Sequence, residues 1–370
     1  NPKPLAPLAL QQRVLPSYRA PFFDLLAQAA GGLHLFAGQP LTVESIVSAD
    51  PAAMPHVQIA WGRNHHFRDP SSRAFLCWQS GLLKWLARIQ PRALIVEANP
   101  RYLSNWFAVR WMHRRGGVVL GWGLGAPRSG NPLERAFRLA YLRSLDGLIA
   151  YSQRGAAQYR ALGLQNVFVA HNAAAPRPAA PPPERPWPPA QPLTVLFVGR
   201  LQARKRLDLL FRACAALPAD LQPRVLVVGD GPARAQFEAA AAAHYPHVRF
   251  LGALHGEALR PHFAAADLFV LPGTGGLAVQ QAMAHALPVI VAQGDGTQDD
   301  LVRPENGWQI PPGDLVALTD TLREALSDPA RLRRMGAESY RIVRDEINLE
   351  RMAAAFVEAV EGRPSPTPSP

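Results

Sequence analysis

The stretch Leu193–Val291 constrains this chain most, because it repeats one pattern. The apolar runs LTVLFVG (Leu193–Gly199), RVLVVGDGP (Arg224–Pro232), VRFLG (Val248–Gly252) and ADLFVLPG (Ala266–Gly273) each end in Gly or Pro. Helical patterns of about a dozen residues follow them, which reads as successive strand–helix units on a parallel sheet. In such sheets ligands sit beyond the carboxyl ends of the strands, against helix N-termini. Arg200, Lys205, Gly229–Gly231 and Gly273–Gly276 fall at those ends. An anionic ligand is expected there.

A chain of 370 residues exceeds one ordinary core, so two domains are expected. No apolar run approaches the roughly eighteen residues that a membrane-spanning helix needs. The sequence opens at Asn1 without an initiator Met or a signal-peptide pattern, which reads as a trimmed start. Cys77 and Cys214 have no metal or redox spacing; they read as buried thiols in a reducing compartment. Charge is unevenly placed. Residues 1–175 carry 19 Lys/Arg against 7 Asp/Glu, a net of +12, whereas residues 176–370 carry 20 against 21. A basic first half fits an anionic lipid surface, a phosphorylated acceptor or nucleic acid. A compositional bias towards Ala, Pro and Arg accounts for it equally well.

Taken in order, QRVLPSYRAPFFDLLAQAA (Gln12–Ala30) reads as a strand, a Pro turn and a helix opened by Pro21. Leu33–Ala37 is a second strand, and His65–His66 reads as a solvated loop pair without a third metal ligand. Arg73–Arg88 reads as one amphipathic helix carrying Trp78, Lys84 and Trp85, packed on the core rather than dipped into lipid. The strand ALIVEANP (Ala93–Pro100) delivers Glu97 and Asn99 at its carboxyl end, ahead of a basic helix over Arg101–Arg115. VVLGWGLGAPRSG (Val118–Gly130) is a strand breaking into a Gly-rich loop, which serves either a ligand or a tight packing turn. A helix over Asn131–Leu145, a strand at Gly147–Ser152, a helix over Arg154–Leu162 and a strand at Val167–Asn172 complete an α/β domain. Ala173–Gln191 then holds eight prolines in nineteen residues and reads as an extended boundary. The expected divisions are a domain over 1–175, a linker over 176–192, a domain over 193–328, helices over 329–363 and a disordered tail over 364–370.

Two fixed cations beside a helix start, Arg200 and Lys205, suit a diphosphate and its extra charge as it leaves. GDGP (Gly229–Pro232) alone is a common strand-to-helix turn. PGTGGLAVQQAMA (Pro272–Ala284) says more: Gly273, Gly275 and Gly276 clear side chains ahead of a helix, and Gln281 offers an amide to vicinal hydroxyls.

These motifs resemble the donor domain of GT-B glycosyltransferases, specifically the large retaining family 4. The likeness rests on Gly199–Arg200–Leu201, Lys205, Gly229–Pro232, Phe250–Gly252, Ala266–Pro272 and Leu287–Ile290, with Glu305–Asn306–Gly307 and Pro311–Asp314 as the usual ending. It covers about 130 residues in ordered sequence, and the first half matches more loosely through PSYRAPFFDLLA, GWGLG, AYS and Asn172. The departure is the family's E-x7-E motif, which falls here on Gly273 and Gln281. Gln281 can keep hydrogen bonds to a ribose, whereas Gly273 cannot replace a carboxylate near the donor sugar.

The resemblance implies an α/β protein of the GT-B class, two Rossmann-like domains facing a central cleft, with the last helix returning to the first domain. It implies a hexosyltransferase that uses a nucleotide-diphosphate sugar, UDP- or GDP-linked, and a saccharide or lipid-linked acceptor of cell-envelope polysaccharide assembly. No metal or other cofactor is expected, because Arg200 and Lys205 take the charge-stabilising role. Donor contacts are carried over to Gly199, Arg200, Lys205, Gly229, Gly231, Leu251, Gly273, Thr274, Gly275, Gly276, Leu277 and Gln281. Glu97 and Asn99 are placed near the reacting hydroxyl, with Tyr18, Arg19, Trp122, Gly123 and Gly125 on the acceptor side. For Glu97, capping of the next helix is an equal alternative. The expected location is cytoplasmic, peripheral on the inner face of the plasma membrane. Competing readings are a sugar-nucleotide-binding protein without catalysis and a nucleotide-sugar hydrolase or epimerase of the same fold. Nucleic acid is not expected as a partner, because the basic half has no recognisable nucleic-acid module.

Overall fold

A computed structural model describes residues 8–362 apart from Ser45, Pro70, Ser71, Arg73, 127–129, Leu277 and Asp295. The chain divides into two compact units, one of residues 1–174 with 349–370 and one of residues 175–348. The tail over 364–370 lies outside the described residues.

The first unit is built on β1 (Leu8–Val14), α1 (Ala20–Ala30), β2 (Leu33–Gly38), β3 (Val57–Phe67), β4 (Leu76–Ser80), α2 (Leu82–Ile89), β5 (Ala93–Glu97) and α3 (Leu103–His113). Then come β6 (Val118–Gly123), α4 (Pro132–Arg143), β7 (Gly147–Ala150), α5 (Gln153–Ala161) and β8 (Val167–Val169). The strands form one sheet in the order β4-β3-β2-β1-β5-β6-β7-β8. All pairs are parallel except β3–β4, which is antiparallel. The strand order reverses between β1 and β5, where a doubly wound sheet opens its crevice.

Two sequence expectations fail in this unit. Arg73–Arg88 is not one helix: Leu76–Ser80 is a strand, and Gly81, at φ 91, turns the chain into α2. His65 and His66 are not in a loop but lie on β3, paired with Trp78 and Cys77 of β4. Neighbouring residues of a strand point to opposite faces, so the two rings do not converge.

The second unit carries β9 (Thr194–Val198), α6 (Leu207–Ala215), β10 (Arg224–Val228), α7 (Arg234–His244), β11 (Val248–Phe250), α8 (Arg260–Ala265) and β12 (Leu268–Leu271). It continues through α9 (Ala278–Ala284), β13 (Val289–Ala292), β14 (Gly307–Ile310), α10 (Leu315–Ser327) and α11 (Pro329–Asp345). Its strands form an all-parallel sheet ordered β11-β10-β9-β12-β13-β14. Helices cover both faces, and so β9, β10, β12 and β13 read as continuous apolar runs.

The proline-rich stretch is strapped to this second unit rather than left as a free linker. Arg185 is the clamp: its Nε donates to the Ala266 carbonyl at 3.0 Å, and its Nη2 donates to those of Phe263 and His285 at 2.9 and 2.8 Å. Burial and the nearby Arg333 pull its guanidinium down to about 10. The Tyr340 hydroxyl donates to the Ala180 carbonyl, and Arg333 donates to that of Pro186.

The last helix, α12 (Leu349–Glu361), belongs to the first unit. Leu349, Met352, Ala353 and Phe356 recur at helical spacing and are buried, with the Phe356 ring 5.0 Å from both Phe22 and Trp122. Among the described residues no helix is long and apolar enough to cross a membrane. Cys77 and Cys214 are free and buried.

Candidate functional site

In the second unit, β9 ends beside the turn that follows β10, and backbone hydrogen bonds tie the two together. Gly199 N–H donates to the Val228 carbonyl at 3.0 Å and Leu201 N–H to that of Asp230 at 2.9 Å. Leu201 is fully buried, so Arg200 is pinned between two fixed neighbours and left exposed. The glycines of the GDGP turn serve this brace. A Cβ on Gly229 would run into the Gly199 carbonyl, and one on Gly231 into that of Leu201. The Gly229 N–H is itself used, donating to the Gly252 carbonyl at 2.7 Å, and Leu251 N–H donates to that of Val227. Gly229, Gly231 and Leu251 therefore shape the strand end rather than offer free donors.

Lys205 departs from its expected place in the first turn of a helix. It ends a 3₁₀ turn, Ala203–Lys205, separated from α6 by Arg206 in the left-handed region at φ 54. Its side chain is buried at 6 % exposure, and its ammonium donates to the Thr274 and Gly275 carbonyls at 2.9 Å each. Arg204 Nη1 also donates to the Thr274 carbonyl, at 3.0 Å, and Thr274 N–H returns a bond to the Arg204 carbonyl at 3.2 Å. No carboxylate among the described residues pairs with Lys205. Burial, with Arg204 close by, draws its pKa down to about 8.

The loop Pro272–Gly276 is thus latched onto the basic turn. Gly273 is required by that contact, since a Cβ there would meet the Arg204 carbonyl oxygen and, at 2.6 Å, the Lys205 backbone. Gly275 is required by conformation, at φ 71. The expected cradle of free N–H groups is therefore partly spent, because that of Thr274 is occupied. Gln281 is exposed on α9, whereas its neighbour Gln280 is buried and accepts from the Ala175 N–H at 3.2 Å. Leu277 lies outside the described residues.

In the first unit the crevice between β1 and β5 holds a titratable cluster that sequence reasoning found only in part. Arg13, near the end of β1, forks onto the Glu44 carboxylate, and its Nη1 lies 3.5 Å from His66 Nε2. The Arg13 N–H donates to Glu97 Oε2 at 3.3 Å. Burial pushes the Glu97 carboxyl up to about 7, against the pull of Arg13 and a hydrogen bond from Tyr102. Burial and Arg13 lower the His66 imidazole. Burial would also raise Glu44, but the hydrogen bonds from Arg13 and the Leu41 N–H prevail and hold it low. Arg13, Glu44, His66 and Tyr102 were missed; the available signal was a lone Arg inside the apolar strand LALQQRV.

Other expected acceptor residues are placed differently. The Asn99 side chain accepts from the Arg101 N–H at 3.1 Å, a local turn contact. Trp122 is not in a loop: it lies on β6, 2 % exposed, among Phe22, Phe23, Tyr151 and Phe356. Gly123 and Gly125 are packing glycines, since side chains there would strike Ala98 with the Tyr159 hydroxyl and Gln158 with Gly155, respectively. Arg19 is buried over the rings of Tyr18, Trp122 and Tyr151, and its Nη2 donates to Asn172 Oδ1 at 2.7 Å. Tyr18 is 44 % exposed.

Two Rossmann-like α/β sheets define the class, the GT-B fold. The solved sucrose-phosphate synthase from Thermosynechococcus elongatus has this fold, with a TM-score of 0.65 at 20% identity over 96% of this chain and 98% of that one. The sequence profile of the family described as Glycosyl transferases group 1 matches residues 192–328. Over that segment, somewhat more than a third of the chain, the sequence is similar to the group 1 glycosyltransferases. It is 35% identical over 146 residues to the sulfoquinovosyl transferase SQD2 of Arabidopsis thaliana, covering 38% of this chain and 28% of that protein. It is 33% identical over 189 residues to a GDP-mannose-dependent alpha-mannosyltransferase of Mycobacterium tuberculosis, covering 48% and 46%. The chain spans less than half the length of these curated relatives.

Proposed function

We propose that this protein is a retaining hexosyltransferase that needs no metal ion and moves a sugar from a nucleoside diphosphate sugar to a saccharide or lipid-linked acceptor. The observation that carries the reading is Lys205, a buried ammonium satisfied by two carbonyls and no acid at the end of β9. A buried cation without a counter-charge is costly, and a diphosphate oxygen is a stronger partner than a peptide carbonyl. Arg200, exposed on its braced turn, supplies the second cation. Together they stabilise the charge that develops on the leaving diphosphate. Gln281 hydrogen-bonds the ribose.

Glu97, with its carboxyl near neutrality beside Arg13 and Tyr102, faces the acceptor hydroxyl in this reading, with Tyr18 at the exposed edge. The named relatives use different donors or sugars, GDP-mannose in one and sulfoquinovose in the other, so the base and sugar follow from pocket shape rather than from these motifs. A lipid-linked acceptor and the basic first half support a peripheral enzyme at the inner face of the plasma membrane.

Gly273 favours a second reading, a sugar-nucleotide-binding protein without transfer, since the latched loop has no room for a carboxylate beside the sugar. A thermal-shift panel of nucleoside diphosphates and their sugars separates the two, because a ligand of the folded state raises the melting temperature. Stabilisation by one base, with sugar release only when acceptor is added, supports the transferase. Stabilisation without turnover on any acceptor supports the binding protein, and no shift with any nucleotide sinks both.

A further inference from the structure

We infer that α3 and α4 of the first unit form the surface by which the protein sits on an anionic lipid bilayer. This rests on the reading of the protein as a peripheral enzyme with a lipid-linked acceptor, and it names the docking face. A row of aromatic rings runs from β4 across α3 to α4. Trp78 meets Phe107 at 5.4 Å, and Trp106, next to Phe107 on α3, stacks on Phe137 at 5.2 Å. This row is not covered by the fold. Phe107 is 54 % exposed, Phe137 43 % and Leu133 82 %.

On α4 the apolar stripe points outward: Leu133, Ala136, Phe137 and Ala140 follow helical spacing, and all four are exposed. Such a stripe ordinarily faces a core, and here it faces solvent. An uncovered stripe of this kind marks a binding surface.

Charge identifies the occupant. Between Glu97 and Glu134 the sequence holds five arginines and not one carboxylate. Arg110 and Arg114 are exposed on and just beyond α3, one turn apart, and Arg115 lies with its guanidinium 4.0 Å over the Trp111 ring. A protein partner of ordinary composition would be met by charges of both signs. Glu134 is exposed on α4 beside Leu133, but its carboxylate is engaged locally by the Asn131 N–H. The rings together with Arg110, Arg114 and Arg115 fit the interface of an anionic membrane, where aromatic side chains lie at headgroup depth and cations meet lipid phosphates. The net of +12 on residues 1–175, against −1 on the remainder, biases this unit towards such a surface before contact.

The test is flotation of the full chain with phosphatidylcholine vesicles, with and without phosphatidylglycerol. The wild type is expected to float with the anionic vesicles only, and less so as salt rises past a few tenths molar. Phe107→Ser with Phe137→Ser, and separately Arg110→Glu with Arg114→Glu, are each expected to weaken binding about tenfold or more. Arg334→Glu, an exposed cation on α11, is expected to leave binding unchanged. Equal binding to neutral vesicles, undiminished binding by both double variants, or no vesicle binding by the wild type would overturn the assignment. So would a change in native mass in the ring variants without any vesicle binding, which would make the face a contact between copies of the chain. Nucleotide-induced stabilisation is read on the same samples. If it persists while flotation fails, the surface is wrong and the enzyme reading stands; if flotation holds without it, the reverse is true.

Discussion

Both units present charged side chains at the carboxyl end of the first strand of a parallel sheet, but they treat those charges in opposite ways. In the first unit Arg13 is answered by acids, forked onto Glu44 and adjacent to Glu97. The cluster is internally compensated, and the group left in tension is Glu97, pushed up to about 7. In the second unit Arg200 is exposed, and Lys205 has only peptide carbonyls. There the tension falls on the cation, drawn down to about 8. In the proposed reading, the first sheet end handles a proton near neutrality and the second receives negative charge.

The sharpest way to break this contrast is to remove the uncompensated cations. Arg200→Ala and Lys205→Ala are each expected to lower turnover by about a hundredfold or more, as loss of a charge-stabilising donor does; near-normal kcat in both would end their assigned role. Gly273→Glu, which would restore the family's carboxylate, is expected to cost about 1–3 kcal/mol of stability instead, because the side chain must displace the Arg204–Lys205 backbone. A melting temperature equal to wild type would show that the latch is not rigid. A third effect is on pH. The free protein loses the Lys205 proton as pH rises through about 8, so nucleoside diphosphate affinity should fall by about tenfold per unit above that point. Titration calorimetry between pH 7 and 10, with Lys205→Met as the pH-independent reference, reads this directly.

The smallest expected effect concerns Glu97. Its folded-state pKa stands above the unfolded value of 4.5, so its protonated form favours folding at low pH. That contribution is lost as pH rises towards and through about 7. Glu97→Gln should therefore melt like wild type near pH 4 and a few degrees higher at pH 8. A pH-independent difference would mean that the substitution acts through packing alone.

The basic turn proposed for the donor was legible in the sequence because its elements are local. Gly199, Arg200 and Lys205 lie within seven residues, and Gly229, Gly231 and Gly273 are each required by a nearby backbone atom. The cluster on the first unit was not, because parallel pairing brings Arg13 to partners 31, 53 and 84 positions away. The β3–β4 ribbon was lost for a different reason. Over five residues, LCWQS satisfies a helical stripe as readily as a strand, and only the cross-strand partners decide between them. The glycines around Trp122 were ambiguous from the start; Gly123 lies on β6 against Ala98, and Gly125 lies against Gly155, so both are close-packing positions.

The return of α12 to the first unit has a consequence for how the molecule is made. Phe356 is wedged against Phe22 and Trp122, yet it leaves the ribosome more than three hundred residues after Phe22. The second unit is contiguous and has its whole core by Asn348. Domains generally fold as units during synthesis, so the half that begins first is the half that finishes last, its core closed only once α12 has been made.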